Sequence, residues 1–454
     1  MEPFNRQHLT GLVAREHDRY RRENPRSLAL HEDSRHLFAK VPMTWMNKWA
    51  GGFPLSFDQA HGALITDVDG HELVDFALGD TGAMAGHSPE PLVRALEDRV
   101  GRRGGVTTML PTADAEWVAH ELSRRFGLSQ WSFSLSATDA NRWLLRLVRL
   151  VTQRPKILVF SYSYHGSVDE TFVVIDEHGR AAVRPGSVAP AVDPTTTTRV
   201  VEFNDLQALE RELRGGDVAA VLTEPALTNI GIVLPEPGFF EGVRRLCDET
   251  STLLIVDETH TFSAGPGGAT RRYGLRPDAL TIGKSLGGGV PCGAYGLSEE
   301  LAARVTTSLA NGADIVDVGG VGGTLAGNAM SLAAMRGVLG EVLTDDAFAP
   351  MEALATTFAT DARESIARHA LPWTVTQLGT RCEYRFMDPA PRNGGESAAS
   401  ADGLLEDYLH LYGINRGVLL TPFHNMALMC PATTPEHVAR HQRVFDAALD
   451  ELVG

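Results

Sequence analysis

The chain has 454 residues, of which 43% are hydrophobic and 22% are charged, and its formal net charge is -16. A chain of this length and composition is expected to fold as a large globular domain with at least one smaller domain. The acidic surplus argues against the clustered basic surface that nucleic-acid binding needs. We therefore expect no nucleic-acid partner and interpret the acidity as a source of solubility.

The first 28 residues are rich in Arg, Glu and His and contain no uninterrupted apolar stretch. We therefore expect neither a secretory signal nor a membrane anchor, and we expect a cytoplasmic protein. The four cysteines are far apart and lack the spacing of a zinc site or a redox motif; they are Cys247, Cys292, Cys382 and Cys430. Reduced, mostly buried thiols and no bound metal are expected.

Secondary structure can be predicted from apolar periodicity. Residues 53–76 predict two short strands around a turn, because Asp69-Gly70 supplies turn chemistry between β-branched runs. From about residue 115 onward, segments with a helical apolar period alternate with short apolar runs. The helical segments include 139–153 and 239–251, and the runs are 156–162, 218–224, 252–258 and 279–283. This alternation predicts an α/β fold with a mostly parallel sheet flanked by helices.

Two domains are expected from this pattern. Residues 81–340 form the large domain, which contains the parallel sheet. Residues 1–80 and 341–454 together form a smaller α+β domain, which ends in the amphipathic helix EHVARHQRVFDAALDELV. In parallel sheets ligands collect at the carboxyl ends of the strands, so the residues just after each apolar run are the first candidates for a site.

Two such residues are Asp257, which ends the run LLIVD, and Lys284, which follows ALTIG. The predicted fold brings this carboxylate and this amine, 27 positions apart, to the same edge of the sheet. A lysine amine can form a Schiff base with an aldehyde cofactor and later act as a general base on a substrate Cα proton. A carboxylate beside a pyridine nitrogen keeps that nitrogen protonated, which makes the ring an electron sink. The glycines at 287–289, with Pro291 and Gly293, predict tight turns beside something bulky.

The DE pair, the GK followed by a glycine-rich stretch and the downstream GTLAGN resemble the class III (ω-) aminotransferases. Within that family the resemblance is to the branch containing glutamate-1-semialdehyde aminomutase, and it extends from about residue 50 to the end of the chain. It implies a fold-type I enzyme whose large domain binds pyridoxal 5'-phosphate (PLP). Lys284 is then the Schiff-base lysine, and Asp257 is the partner of the pyridine nitrogen. Thr259 stands where the family usually has a valine packed on the ring.

The segment SLSATDAN is similar to the family's phosphate cup, NSGTEA, at the start of a helix. The resemblance implies phosphate contacts from Ser136, Ala137 and Thr138, with Ala137 in place of the family's glycine. Backbone N–H groups and the helix dipole favour a dianion at such a position. The alternative is an ordinary helix N-cap.

Three further segments resemble the family at cofactor contacts. FSYSYHGS is similar to the family's YHG, which implies that Tyr164 stacks on the cofactor ring with His165 beside it. TEPALTNIG is similar to EPVxGNxG, which implies that Asn229 hydrogen-bonds the phenolic oxygen of the cofactor. GGVGGTLAGN resembles the segment whose threonine reaches the phosphate of the neighbouring subunit. Thr324 therefore implies a homodimer with shared active sites.

The residues that meet the substrate are less clearly marked. An amino acid's carboxylate is best held by an arginine fork, and the candidates are Arg381, Arg385 and Arg392. We select Arg385. If TRCEYRF is a strand, alternation puts Arg381, Glu383 and Arg385 on one face, where Glu383 pairs with one of the arginines.

Three other polar residues are substrate-binding candidates. Glu224, at a strand end, is predicted either to orient the substrate or to serve as a buried structural carboxylate. His424 and Asn425 are polar residues amid apolar ones in TPFHNMALM, and we predict that they line the substrate pocket. A satisfied core histidine is the alternative for His424.

The sequence therefore predicts an aminotransferase that moves an amino group between an amino acid, such as a β- or ω-amino acid, and a keto acid through a Lys284 Schiff base. Two alternatives need the same residues: an aminomutase of the glutamate-1-semialdehyde type, and an amino-acid racemase or epimerase. A noncatalytic PLP-binding protein is disfavoured because the lysine and the aspartate are both present.

Overall fold

In the computed structural model of the chain, residues 4–312, 314–315 and 318–454 are described. Two units are found. The smaller unit contains the described part of Met1–Pro89, with Asp346–Ala390 and Ser400–Gly454, and the larger unit contains the described part of Glu90–Asp345, with Pro391–Ala399. The predicted domain boundaries follow residues 80 and 340, whereas the two units of the structure divide after residues 89 and 345. The segment 391–399, which was predicted to lie in the smaller domain, groups with the larger unit.

The chain forms helices and strands in the following order. The α-helices are α1 (Arg6–Glu23), α2 (Pro25–Asp33), α3 (Glu90–Leu96), α4 (Ala113–Phe126), α5 (Ala137–Thr152), α6 (Leu206–Leu213), α7 (Phe239–Thr250), α8 (Gly268–Arg272), α9 (Glu299–Ala310), α10 (Ala329–Gly337), α11 (Phe348–Arg368), α12 (Gly394–Ala399), α13 (Gly403–Ile414) and α14 (Pro435–Val453). The strands are β1 (Phe57–His61), β2 (Leu64–Asp67), β3 (Glu72–Asp75), β4 (Gln130–Ser134), β5 (Lys156–Phe160), β6 (Val173–Ile175), β7 (Ala181–Val183), β8 (Thr198–Val201), β9 (Val218–Thr223), β10 (Leu253–Asp257), β11 (Ala279–Ile282), β12 (Gly293–Leu297), β13 (Thr374–Leu378), β14 (Arg381–Arg385), β15 (Val418–Leu419) and β16 (Met426–Leu428). Short 3-10 segments span Phe38–Lys40, Thr44–Asn47, Asp169–Thr171, Pro194–Thr196, Thr261–Ala264, Lys284–Gly287 and Asp345–Ala347, and π-helical turns span Glu97–Arg103 and Val338–Val342.

The larger unit is built on a seven-stranded sheet with the order β4-β12-β11-β10-β9-β5-β8. Strands β8, β5, β9, β10 and β11 run parallel to one another, and β12 is antiparallel to both of its neighbours, β11 and β4. The four predicted apolar runs form β5, β9, β10 and β11, and the predicted helical segments form α5 and α7. All residues of β9, β10 and β11 are buried, as expected for parallel strands covered on both faces. The prediction of an α/β fold with a mostly parallel sheet is confirmed.

The antiparallel strand β12 explains two of its glycines. A Cβ on Gly293 would lie 2.6 Å from Ser134 Oγ, and a Cβ on Gly296 would lie 2.8 Å from the ring of Trp131. Gly293 was predicted to lie in a tight turn, but it lies in strand β12. The residue there is a glycine because the neighbouring strand and the start of α5 leave no room for a side chain. The tight turn is upstream, at Gly288 and Gly289, which have φ values of +58° and +100°.

The smaller unit contains a four-stranded sheet, β1-β2-β3-β15, and a three-stranded sheet, β13-β14-β16. Strands β2 and β3 form the predicted antiparallel hairpin around Asp69-Gly70, where Gly70 has φ +94°. Strand β1 extends this hairpin and was not predicted. Its residues are mostly exposed and lack the alternation of apolar and polar side chains that marks a strand. The predicted amphipathic C-terminal helix is α14.

No helix in the described part of the chain is both long enough and apolar enough to cross a membrane. All four cysteines are buried, and none is in a disulfide, as the sequence predicts.

Inside the smaller unit, a buried carboxylate on α1 forms hydrogen bonds with residues that follow α13. Glu16 on α1 is almost fully buried, and its Oε2 accepts hydrogen bonds from Arg416 Nη1 at 2.8 Å and Asn415 Nδ2 at 3.0 Å. Burial would raise the pKa of Glu16, but the hydrogen bonds from Arg416, Asn415 and Arg15 lower it to about 2. The guanidinium of Arg416 also stacks on the ring of Tyr412, 3.3 Å from its centroid.

Replacing Glu16 with Gln is expected to lower the free energy of unfolding at pH 7 by about 3 kcal/mol, because it removes a carboxylate whose pKa folding lowers to about 2 and leaves the partly buried Arg416 without its charge partner. Because the pKa of Glu16 is lower in the folded chain than its ordinary value of 4.5, this stabilisation is present above pH 4.5 and is lost as the pH falls toward 2. Urea unfolding of both proteins at a series of pH values should therefore show a difference that shrinks with acid. The partly exposed carboxylate of Glu23, on the same helix and paired with Arg19, supplies the control, and Glu23→Gln is expected to change stability by less than about 0.5 kcal/mol. A pH-independent difference for Glu16→Gln would contradict the assignment.

Candidate active site

Asp257 and Lys284 lie at the ends of adjacent parallel strands. Strands β10 and β11 pair with Asp257 opposite Thr281, and Lys284 follows three residues later at the start of the segment Lys284–Gly287. The backbone of Lys284 has φ +36°, which is uncommon for a residue with a side chain and concentrates at functional positions. The carboxylate and the amine therefore share one edge of the sheet, as the sequence predicts.

The carboxylate of Asp257 is buried and held by donors on both oxygens. Oδ2 accepts hydrogen bonds from Asn141 Nδ2 and from His165 Nδ1, both at 2.9 Å, and Oδ1 accepts one from the backbone N–H of Thr259 at 3.1 Å. Burial would raise the pKa of Asp257, but His165, Thr259 and Asn141 together bring it below its ordinary value. Thr281 on β11 completes the network by donating to Asn141 Oδ1 at 2.9 Å. Asp257 is thus an ionised carboxylate in a fixed orientation.

The amine of Lys284 is in contact with a histidine. Its Nζ lies 2.6 Å from Nε2 of His260, which is itself buried in the loop after β10. A neutral imidazole nitrogen can accept a proton from an amine, and an imidazolium can return one. His260 therefore gives Lys284 a partner for proton exchange.

The segment predicted to bind the phosphate lies at the start of α5. Ser136 is the N-cap of α5, and its Oγ accepts a hydrogen bond from the N–H of Asp139 at 3.2 Å. Thr138 Oγ1 accepts the N–H of Ser167 at 3.2 Å, and Gly166, with φ +78°, passes so close that a Cβ there would lie 2.0 Å from this hydroxyl. The segment combines the N-terminus of a 16-residue helix with hydroxyl groups, which suits an anion.

Ala137, the departure from the family's glycine, packs against the residue before the lysine. A Cβ built on Gly283 would lie 2.9 Å from Ala137 N and 3.0 Å from Ala137 Cβ. The helix start and the lysine loop are therefore in close contact.

Tyr164 is partly exposed, and its backbone N–H donates to Glu224 Oε1 at 3.0 Å. The other oxygen of Glu224 accepts the hydroxyl of Thr228 at 2.5 Å. Burial raises the pKa of Glu224, which favours its neutral form. Of the two roles predicted for Glu224, these contacts favour the structural one, since they fix the backbone at Tyr164.

Two more predicted cofactor contacts lie in loops of the larger unit. Asn229 is half-buried in the loop after β9, where Leu227 and Val233 pair across a short bridge. Thr324 is exposed in the turns between α9 and α10. Thr259 comes two residues after Asp257, and its Oγ1 is buried without a hydrogen-bond partner among the described residues.

Three of the predicted substrate contacts lie in the smaller unit and are buried there. Arg385 ends β14, which confirms TRCEYRF as a strand, and its Nη2 donates to Ser400 Oγ at 2.8 Å. His424 Nδ1 lies 3.5 Å from Glu383 Oε1, and the adjacent Asn425 is fully buried. Their contact with a substrate stays a prediction.

Sequence reasoning missed four residues of the larger unit's site. Asn141 donates a hydrogen bond to Asp257, and Thr281 donates one to Asn141. His260 contacts Lys284, and Arg184 donates to Asn229. His260 is the one with a usable signal, since it lies three positions after Asp257 within the motif itself. Arg184 lies in no motif.

Comparison with known proteins identifies the family. A family model described as "Aminotransferase class-III" matches residues 45–448. Among curated relatives, glutamate-1-semialdehyde 2,1-aminomutase from Anaeromyxobacter dehalogenans (strain 2CP-1) is 31% identical over 398 residues, covering 87% of this chain and 90% of that protein.

Two solved structures extend the comparison. The crystal structure of a glutamate-1-semialdehyde-aminomutase from Pseudomonas aeruginosa PAO1 matches with a TM-score of 0.96 and 48% identity, covering 99% of both chains. A lysine-to-alanine variant of that protein is known in complex with PMP. An omega-transaminase from Sphaerobacter thermophilus matches with a TM-score of 0.84 and 25% identity, covering 94% of this chain and 98% of that one.

The family match and the site geometry agree. A helix start with free backbone N–H groups, a carboxylate at the end of one strand and a lysine after the next strand suit, in turn, the phosphate, the pyridine nitrogen and the aldehyde of PLP. This chain belongs to the class III aminotransferase family, whose members are fold-type I enzymes that use PLP.

Proposed function

We propose that the chain is an aminotransferase that moves an amino group between an amino acid, including β- or ω-amino acids, and a keto acid. The observation that carries this proposal is the position of Lys284 and Asp257 on adjacent strand ends, with the carboxylate held ionised by His165 and Asn141. A noncatalytic protein that only bound the cofactor would not need a buried carboxylate whose charge is maintained against the effect of burial.

Each part of PLP has a partner in this proposal. Ser136, Ala137 and Thr138 hold the phosphate, Tyr164 stacks on the ring, and Asn229 donates to the phenolic oxygen; Thr259 packs on the ring, and His165 acts through Asp257. When bound, PLP supplies an aldehyde for the amino group and an electron sink for the bond that breaks at the substrate Cα.

The residues of the chain then handle protons. Lys284 Nζ would take the proton from the substrate Cα and deliver it to the C4' carbon of the cofactor, so the same amine would act first as a base and then as an acid. His260 Nε2, at 2.6 Å, is placed to exchange a proton with Nζ between these steps. Hydrogen bonds hold the pKa of Asp257 below its ordinary value, so this carboxylate stays charged, and its charge would keep the ring nitrogen protonated.

Substrate binding is proposed for Arg385, His424 and Asn425, with Arg385 as the fork for the carboxylate. All three are buried in the smaller unit, so a substrate that reaches them is removed from water. Charge–charge attraction is stronger in such a site than it is in water. Glu224 contributes by fixing Tyr164.

We propose a cytoplasmic homodimer in which Thr324 reaches the phosphate bound by the neighbouring subunit. In the single chain Thr324 is exposed, and six apolar residues in the described part of the same unit are each more than half exposed; they are Met109, Leu110, Val188, Val192, Val318 and Leu325. Apolar side chains with this exposure are typical of a surface that a second copy covers. The four reduced cysteines suit a reducing compartment.

An aminomutase of the glutamate-1-semialdehyde type is the second candidate. It is favoured by the 48% identity to the Pseudomonas aeruginosa protein and by the name of the curated relative from Anaeromyxobacter dehalogenans. An aminomutase uses the same constellation but returns the amino group to another carbon of the same molecule, so it needs no keto acid.

Single-substrate incubation distinguishes the two reactions. Holoenzyme is mixed with one amino acid at a time, without a keto acid, and the visible absorbance of the bound cofactor is followed together with product. We expect one amino group to be transferred per active site, after which the reaction stops until a keto acid is added. Repeated turnover of glutamate-1-semialdehyde with no acceptor would instead establish the aminomutase. Racemisation of an amino acid without transfer would contradict both.

A further inference from the structure

The β6–β7 hairpin of the larger unit positions an arginine beside the predicted cofactor contacts. Arg184 follows β7 directly, and its backbone N–H donates to the carbonyl of Phe172 at 2.9 Å. The ring of Phe172 in turn contacts the ring of Tyr164 edge-on, with a centroid distance of 6.4 Å. The hairpin is therefore attached to the segment that carries the proposed stacking residue.

The guanidinium of Arg184 links that segment to the loop that carries Asn229. Its Nη1 donates to the carbonyl of Ser163 at 3.1 Å, and its Nη2 donates to Asn229 Oδ1 at 2.9 Å. The guanidinium also lies over the ring of Tyr162, 5.5 Å from the centroid. A single side chain thus fixes two of the proposed cofactor contacts relative to each other.

This hydrogen bond determines which way the amide of Asn229 faces. A guanidinium has only donors, so the amide must turn its oxygen toward Arg184. The amide nitrogen of Asn229 then points away with two N–H groups to donate. The reversed amide would bring N–H groups against N–H groups, which is unfavourable in a half-buried site.

The charge of Arg184 is not balanced by a neighbouring carboxylate. Among the described residues no carboxylate lies within ion-pair distance of it, and the titratable groups that face it are Glu224, Tyr162 and Tyr164. Burial lowers the pKa of Arg184 and raises the pKa of Glu224, so the nearest carboxyl is a weak counter-charge. A half-buried cation in this position stabilises an anion bound beside Asn229.

We propose that Arg184 is a positioning residue of the cofactor site: it turns the amide of Asn229 so that Nδ2 donates to the phenolic oxygen of PLP, and its charge favours the ionised form of that oxygen. The inference rests on the proposed function, in which Asn229 is the partner of this oxygen. Arg184 itself need not touch the cofactor or the substrate.

The test is a pH titration of the visible absorbance of holoenzyme without substrate. A positive charge near the cofactor weakens proton binding to it, so Arg184→Gln should raise the midpoint pH by about one unit, or about tenfold in proton affinity. Asn229→Ala should move the midpoint in the same direction. If Arg184 acts through Asn229, its substitution should have a smaller effect in the Asn229→Ala background than in the wild type.

Arg180 on the same hairpin supplies the matched control, because it is exposed and pairs only with Asp176 at its side chain in the described structure. Arg180→Gln should leave the midpoint unchanged. If Arg184→Gln does not fold, Arg184→Lys is measured instead; it keeps a cation but cannot hold both oxygens, so a smaller shift in the same direction is expected.

Two outcomes separate the failure of this inference from failure of the proposed function. If Asn229→Ala moves the midpoint but Arg184→Gln and Arg184→Lys match the Arg180→Gln control, the role of Arg184 is overturned while that of Asn229 stands. If the midpoint is insensitive to Asn229→Ala, the proposed role of Asn229 fails, and the inference fails with it.

Discussion

Replacing Lys284 with Ala is expected to reduce amino-group transfer by roughly 10^4-fold, at the upper limit of what a positioned acid–base group contributes. The loss is large because Nζ has two roles, as the nucleophile that bonds to the cofactor aldehyde and as the base that takes the Cα proton. The neighbouring His260 cannot replace it, because an imidazole cannot form a Schiff base with the cofactor aldehyde. The visible absorbance of the cofactor bound through lysine should disappear together with turnover.

The chain makes this assignment easy to check, because it has only four lysines, Lys40, Lys48, Lys156 and Lys284. Borohydride reduction of the holoenzyme followed by peptide mapping should place the cofactor on Lys284 alone. Lys156, at the start of β5 and paired with Asp217 at 3.2 Å, supplies the matched control, and Lys156→Ala should retain turnover. Labelling at another lysine, or turnover that persists in Lys284→Ala, would show that the nucleophile lies elsewhere.

Replacing Asp257 with Asn should lower kcat by roughly 10^2- to 10^3-fold, the size of loss that is typical of removing one preorganised group that stabilises charge in the transition state. The amide is neutral and cannot keep the pyridine nitrogen protonated, so the ring loses its ability to accept electrons. Asparagine also presents an N–H group toward donors that Asp257 now accepts from, including His165 Nδ1. Cofactor binding should persist, because the lysine and the phosphate contacts are intact.

Turnover per bound cofactor is the quantity to measure for this variant, with cofactor content determined by absorbance. Asp278, just before β11, supplies the control, because it also accepts hydrogen bonds from a side chain and from the backbone: Arg244 donates at 2.9 Å and the N–H of Leu254 at 2.7 Å. Asp278→Asn should lower stability but leave turnover per cofactor unchanged. A kcat for Asp257→Asn within about twofold of the wild type would be incompatible with the proposed role, which requires a charged partner for the ring nitrogen.

The sequence predicted the parallel core of the larger unit because its strands are buried on both faces and therefore appear as continuous apolar runs. It did not predict β1 or the position of Gly293, for a common reason. Strand β1 is mostly exposed, and β12 contains glycines that are required by neighbouring atoms rather than by a turn. Such constraints come from contacts between segments far apart in the chain, which no local pattern contains.

The same distinction applies to the site. Lys284 and Asp257 were accessible from sequence because strand ends collect at one edge of a parallel sheet. Arg184 was not accessible, since it follows a three-residue strand of a hairpin and reaches Asn229 only through the fold. His260 was visible in the motif, but the conformation of the loop after β10 decides that it contacts Lys284.

The contact between Ala137 and Gly283 restricts which residues position 283 can hold. The methyl group at position 137 occupies space that exists only because position 283 has no side chain. A side chain at 283 would clash with the backbone N of residue 137 as well as with its methyl group, so glycine is required at 283 whether position 137 is alanine or glycine. Replacing Ala137 with glycine is therefore not expected to make a side chain at 283 tolerable.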